Sequence, residues 1–252
     1  MIYRVLLAVF IAVPLVNFAT PLLPGGDEQF ADYGSTRVDA APYAFSIWFV
    51  IFFGMLGFSW RLVREREPNT VNLRSACGGL IVAGLASIAF VPISLYASDV
   101  WSLIDILVHL FALSYAAFHL QRFVSGHPKG SAGRWWFYAP SMYLGWISAA
   151  TVISAALAAD ALGIELRGPW ATVIACTTLG AVATIAGLMI RAGDPIYAAT
   201  IVWGLVAIGV QQAAYPPVRW TAWIAAAIVA ALTVFKLARA PRFYALAATE
   251  NG

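Results

Sequence analysis

The sequence predicts an all-α membrane protein, a polytopic bundle of about eight transmembrane helices that form one integral-membrane domain over residues 1–252. Of its 252 residues, 62% are hydrophobic and 11% are charged, and the mean hydropathy is +0.80. A soluble domain is nearer half apolar and a quarter charged. Apolar runs of roughly 20 residues, long enough to cross a bilayer, alternate with short polar connections. No strand-period pattern is long enough for a barrel.

The eight predicted spans follow these apolar runs along the chain. They cover residues 4–23, 43–62, 75–97, 100–123, 135–159, 169–190, 195–214 and 219–237. Pro14 predicts a kink in the first span, and Pro92 interrupts the third. The second span begins after Pro42, which suits the first turn of a helix, and carries seven Phe or Trp rings up to Trp60. A turn at Ser98 and Asp99 separates spans three and four.

The second half of the chain is divided in the same way. A Gly- and Ser-rich loop over 124–134 precedes span five, and Pro169 starts span six. Asp194 and Pro195 mark the turn into span seven, and Pro216 lies in the turn before span eight. The connections after spans three, six and seven are short, so we expect those neighbours to pack antiparallel.

The loop charges predict the orientation. The connections after spans two and four and the C-terminal tail are basic, whereas those after spans one and five are acidic on balance. The positive-inside rule therefore predicts that both termini are cytoplasmic, and we expect a bacterial inner membrane. The basic residues cluster in short loops, which does not indicate nucleic-acid binding.

Several blocks of residues resemble a known family. These blocks are Asn17–Ala19 with Leu23-Pro24, Ala41–Trp48, Tyr143–Thr151, and Asp194 with Tyr197, Trp203 and Gly204. Together they resemble the longer members of the tryptophan-rich sensory protein group, distant relatives of the TspO/translocator-protein family. The resemblance implies an all-helical membrane protein with an aromatic-lined pocket. The short TspO proteins are similar to five-helix bundles that bind tetrapyrroles and sterol-like molecules.

Span four contains two ionisable residues on one face. Asp105 and His109 are four residues apart, with Ser102 one turn before them. A carboxylate at the centre of a spanning helix costs about 2.5–3.5 kcal/mol, so it usually faces the bundle or water, here as a proton- or ligand-coupled site. Alternatively Asp105, about 7 Å from the outer end of the helix, reaches the headgroups. Asp105 could also fix the tautomer of His109.

Five aromatic residues lie at similar positions in three spans. They are Phe45, Trp48, Tyr143, Trp146 and Trp203. Such rings could stack on a flat apolar ligand, since a few of them bury enough area to hold a drug-sized molecule. The alternative is that they serve helix packing and the aromatic belts at the membrane surfaces.

We interpret the chain as a membrane receptor for a small hydrophobic ligand, such as a tetrapyrrole, carotenoid or sterol-like molecule. The rings would stack on the ligand, with polar anchors from Asn17, Asp105 or His109. Two alternatives stay open: a proton-coupled secondary transporter, and an accessory or pigment-contacting subunit of a larger membrane complex. The expected partners are lipid and ligand, with a homo-oligomer also considered.

The sequence offers little for catalysis or metal binding. It has no credible Ser/His/Asp arrangement, no phosphate-binding Gly-rich loop and no Cys/His cluster, so we expect no enzyme and no metal site. Glycines within the spans instead predict close helix contacts. These glycines are Gly54, Gly57, Gly78, Gly79 and Gly145.

Overall fold

The computed structural model describes residues 1–24, 36–65, 70–125, 138–164 and 168–239, and these form helices and turns without a strand. The eight α-helices are α1 (Ile2–Phe18), α2 (Ile47–Arg64), α3 (Val71–Tyr96), α4 (Asp99–Ser125), α5 (Tyr138–Ala161), α6 (Gly168–Ala192), α7 (Pro195–Gln211) and α8 (Pro216–Arg239). Short 3₁₀ turns cover Thr20–Leu22 and Pro42–Ser46. The predicted all-α fold is confirmed.

Each helix lies on a predicted span, with differences at the ends. Six helices are long and apolar enough to cross a membrane, whereas α1 and α7 have 17 residues each. α1 ends at Phe18 and not at residue 23, because Pro21 has no N–H to donate to the carbonyl oxygen four residues earlier, and the chain continues in the 3₁₀ turn Thr20–Leu22. Pro92 does not interrupt α3, which continues to Tyr96. Residues 135–137 of the fifth predicted span lie outside the described residues.

The helices pack around α5, which contacts α2, α4 and α7. α1 packs on α2 and α3, α3 packs on α4, and α7 and α8 pack on each other and on α6. α5 and α6 follow one another in the chain but scarcely touch. An opening therefore separates α6 from α4 and α5.

Three of the five predicted close contacts at glycines are confirmed. A Cβ atom on Gly79 would lie 2.7 Å from the Ala112 carbonyl oxygen, and Cβ atoms on Gly54 and Gly145 would each meet a neighbouring helix at 2.9 Å. The prediction is wrong for Gly57 and Gly78, where a Cβ atom would have no neighbour within 4 Å. Gly57 in α2 and Gly78 in α3 each lie on a side of their helix that does not face a neighbouring helix.

The 36–46 segment lies across the ends of α6, α7 and α8. The side chain of Gln212, which is buried, donates hydrogen bonds to the carbonyl oxygens of Thr36 (3.1 Å) and Asp39 (3.2 Å). The buried Asp39 carboxylate accepts hydrogen bonds from Thr36 N (2.8 Å) and Thr36 Oγ1 (2.6 Å). Ala41 N donates to the carbonyl oxygen of Ala207 (3.1 Å). These bonds attach the first loop to the end of α7.

Much of the charge that predicts the orientation lies outside the described residues. This holds for 25–35 in the acidic first loop, for 66–69 and 126–137 in the basic loops, for 165–167, and for the tail from 240 onwards. The cytoplasmic location of both termini stays a prediction.

Candidate functional site

The Asp105 and His109 side chains are inside the bundle, only 7% and 1% exposed. His109 Nδ1 lies 3.1 Å from Asp105 Oδ2 and 3.2 Å from the Asp105 carbonyl oxygen. The contact of His109 Nδ1 with Asp105 Oδ2 lacks hydrogen-bond geometry, and Oδ2 has no hydrogen-bond partner among the described residues. The other ring nitrogen, His109 Nε2, has none there either. The Asp105 carboxyl group thus faces the interior of the bundle.

Asn17 and Tyr143 lie in the same polar region and join helices. Asn17 Nδ2 donates to the carbonyl oxygens of Val13 (2.9 Å) and Ser87 (3.3 Å), which links α1 to α3. The buried Tyr143 hydroxyl donates to the Ala83 carbonyl oxygen (3.3 Å), and its ring meets the His109 ring edge-to-face at 5.9 Å. A line of polar groups therefore runs from α1 through α3 and α5 to α4.

Four of the five predicted aromatic residues come together. Trp48 contacts the rings of Tyr143 and Trp146 at centroid distances of 5.7 and 6.2 Å, and Phe45 meets Trp146 at 5.6 Å. Trp203 lies apart, where its Nε1 donates to the Ala44 carbonyl oxygen (3.0 Å). The four rings pack edge-to-face on one another and join α2 to α5. A ligand contact from them stays a prediction.

A groove of about 790 Å³ lies elsewhere, in the opening that separates α6 from α4 and α5. It runs along α6 from Ala171 to Met189, and its lining is mostly aliphatic, with rings only from Phe111 and Tyr197 among its lining residues. Hydroxyl groups in the lining are turned back to their own helices: Ser148, Thr151 and Thr178 each donate to the carbonyl four residues earlier at 2.8 Å. The surface that a ligand would meet is therefore chiefly apolar.

None of the eight sequence-predicted binding residues lines this groove. Small residues of α5 and α6, such as Ala155, Ala171 and Ala181, line the groove. Small residues in spanning helices ordinarily indicate close packing. Here they leave space because α6 packs on α7 and α8 and not on α5.

Charged side chains lie at one end of the groove. Arg37 Nη1 donates to Thr172 Oγ1, and the guanidinium lies 4.2 Å from the centre of the Tyr215 ring. Asp160, which is exposed, also lines this end. The groove is thus apolar along its length and charged at its mouth.

Comparison with known proteins gives one match. The model of the TSPO-like protein family matches residues 2–235, from the start of α1 into the last turns of α8. No curated protein and no solved structure matches the chain. With six helices long and apolar enough to span, the chain is an integral membrane protein in contact with the lipid bilayer. The chain belongs to the TSPO-like protein family.

Proposed function

We propose that the chain binds a small hydrophobic ligand in the groove formed by α4, α5 and α6. Membership of the TSPO-like family supports a ligand-binding or related role in the membrane. The observation that carries the proposal is the groove itself. Its volume of about 790 Å³ lies within the range of roughly 300–1,000 Å³ that ligand sites occupy, and its lining is largely apolar.

The shape of the groove favours an elongated ligand. The distance along α6 from Ala171 to Met189 is about 27 Å at a rise of 1.5 Å per residue, close to the roughly 30 Å of a bilayer core. The lining offers two rings for stacking, whereas four of the five predicted aromatic residues contact one another. A carotenoid, a sterol-like molecule or another long aliphatic ligand therefore suits this site better than a tetrapyrrole held by stacking.

Filling the groove should weaken ligand binding. We expect Ala155→Trp and Ala181→Trp each to weaken binding about tenfold or more, because an indole would occupy the ligand's volume. The measurement is labelling by oleyl alcohol carrying a photoactivatable diazirine, with labelled peptides mapped by mass spectrometry and affinity read from competition. Both alanines are exposed to the groove.

Thr184→Trp provides the matched control. Thr184 is exposed on α6 but does not line the groove, so its indole should leave labelling unchanged. Equal labelling of the two groove variants and this control would contradict the proposal.

The buried contact of Asp105 with His109 supports a second candidate, proton-coupled transport. Ionisable groups inside a spanning bundle are typical of proton pathways. We expect reconstituted protein to carry protons into liposomes and Asp105→Asn to abolish this flux, with a pH-sensitive dye as the readout. Asp160→Asn, which changes an exposed carboxylate at a helix end, should retain the flux. The same flux with and without the Asp105 carboxylate would eliminate this candidate.

A further inference from the structure

We propose that the ligand is an amphiphile with an extended apolar chain and an anionic head group, a carboxylate or phosphate, which Arg37 binds at the mouth of the groove. This inference rests on the proposed function of the same groove. The head-group preference does not depend on the aromatic residues or on the Asp105 and His109 pair.

The Arg37 guanidinium has donors available for an anion. Its two partners are neutral, the Thr172 hydroxyl and the Tyr215 ring, and it has no ion pair within the described part of the chain. A guanidinium has five N–H donors, and the bond to Thr172 uses one nitrogen. The remaining donors can bind a carboxylate or phosphate in the bidentate geometry that arginine favours.

The Arg37 guanidinium lies at the end of the groove near the start of α6. The side chain is partly buried and lines the same groove as Ala171 and Ile174 near the start of α6. The positive end of the α6 dipole, at Gly168, also favours an anion here. An apolar chain lying along α6 would bring its head group to this end.

Hydrogen bonds hold the backbone around Arg37 in place before a ligand binds. The residues on both sides of Arg37 are fixed, since Gln212 binds the carbonyl oxygens of Thr36 and Asp39 and the Asp39 carboxylate binds Thr36. The Tyr215 ring further limits the rotamers of the guanidinium. Little side-chain and loop entropy is therefore lost when a ligand binds, which raises affinity.

Asp160 lies on the groove lining and opposes an anion. It is exposed, and it does not come within salt-bridge distance of Arg37. Solvent and salt screen an exposed charge more than a partly buried one. Arg37 should therefore outweigh Asp160 at the head group, and neutralising Asp160 should strengthen anion binding modestly.

The test compares oleate with oleyl alcohol, which share one chain and differ in the head group. We expect the wild-type protein to bind oleate about tenfold more tightly in neutral detergent at a pH where the acid is ionised, the size expected for a charge-assisted hydrogen bond. Arg37→Gln should remove this preference, with a much smaller effect on oleyl alcohol than on oleate, and Arg37→Lys should restore part of the preference. Asp160→Asn should tighten oleate binding about threefold without affecting the alcohol.

A second arm identifies the source of the anion. Dioleoyl phosphatidate is compared with dioleoyl glycerol, so that a preference in this pair identifies a phospholipid and a preference only for oleate identifies a free acid. Equal binding of acid and alcohol by the wild-type protein, in both pairs, would overturn the head-group inference and leave the groove proposal intact. Absence of groove labelling by every probe would overturn both.

Discussion

Replacing Gly79 by valine is expected to separate α3 from α4 and to destabilise the protein strongly. A Cβ atom there would lie 2.7 Å from the Ala112 carbonyl oxygen and 3.2 Å from the Ala116 nitrogen. Both are backbone atoms, so relief requires movement of a whole helix. Overpacking typically costs about 1–3 kcal/mol and sometimes more, and we expect the upper part of that range. The measurement is thermal unfolding in detergent, followed by tryptophan fluorescence.

Gly78→Val is the matched control for this prediction. Gly78 is the preceding residue of the same helix, and a Cβ atom there would meet nothing within 4 Å. Both variants place the same β-branched residue in α3, so their helix propensities change alike. A melting temperature that falls equally in the two variants would show that the close approach of α3 and α4 contributes nothing.

Removing one member of the Asp105 and His109 pair should cost more than removing both. His109→Leu leaves the Asp105 carboxyl group in the bundle interior without its nearest side-chain partner. Asp105→Leu removes the same side-chain contact from the imidazole but keeps the contact of His109 Nδ1 with the carbonyl oxygen of residue 105. Leaving a buried polar group without its partner costs about 1–3 kcal/mol. The double variant with leucine at both positions should recover much of the loss, because no polar group is then left unpaired.

A double-mutant cycle measures the coupling of the two side chains directly, since they share one contact of 3.1 Å. The comparison variant is His119→Leu, the same substitution two to three turns later on α4. The His119 ring nitrogen Nδ1 lies 3.1 Å from Asn72 Oδ1 in a partly buried site, so its loss should cost about 1 kcal/mol. Additive effects at Asp105 and His109 would mean that the two side chains are not coupled.

Much of the fold was predictable because hydropathy is local. Each apolar run became a helix, and the Asp105 and His109 contact followed from a spacing of four residues on one helix face. Which side of a helix meets a partner is not local. Gly78 and Gly79 are neighbours in the sequence, and only the packing of α3 on α4 shows that one of them is at the contact.

The groove was unpredictable for a related reason. Consecutive helices with a short connection usually pack together, and nothing in the composition of α5 or α6 shows that they remain apart. The contacts of the 36–46 segment could not be predicted either. The sequence places Asp39 in the first loop and Gln212 near the end of the seventh predicted span, and only the structure shows their hydrogen bonds. Arg37 lies in that segment, and the sequence shows it only as a positive charge in the first loop.

The contact of α7 with α5 has a consequence for the order of assembly. α7 carries most of the contact between the first five helices and the last three. Chains emerge from the ribosome N-terminus first, so α5 is synthesised before α7. The face of α5 with Gly145 and Ala149, which meets Thr200 and Gly204, has no partner from α7 until then. The packing of α6, α7 and α8 against the first five helices can therefore be completed only when the final third of the chain has been synthesised.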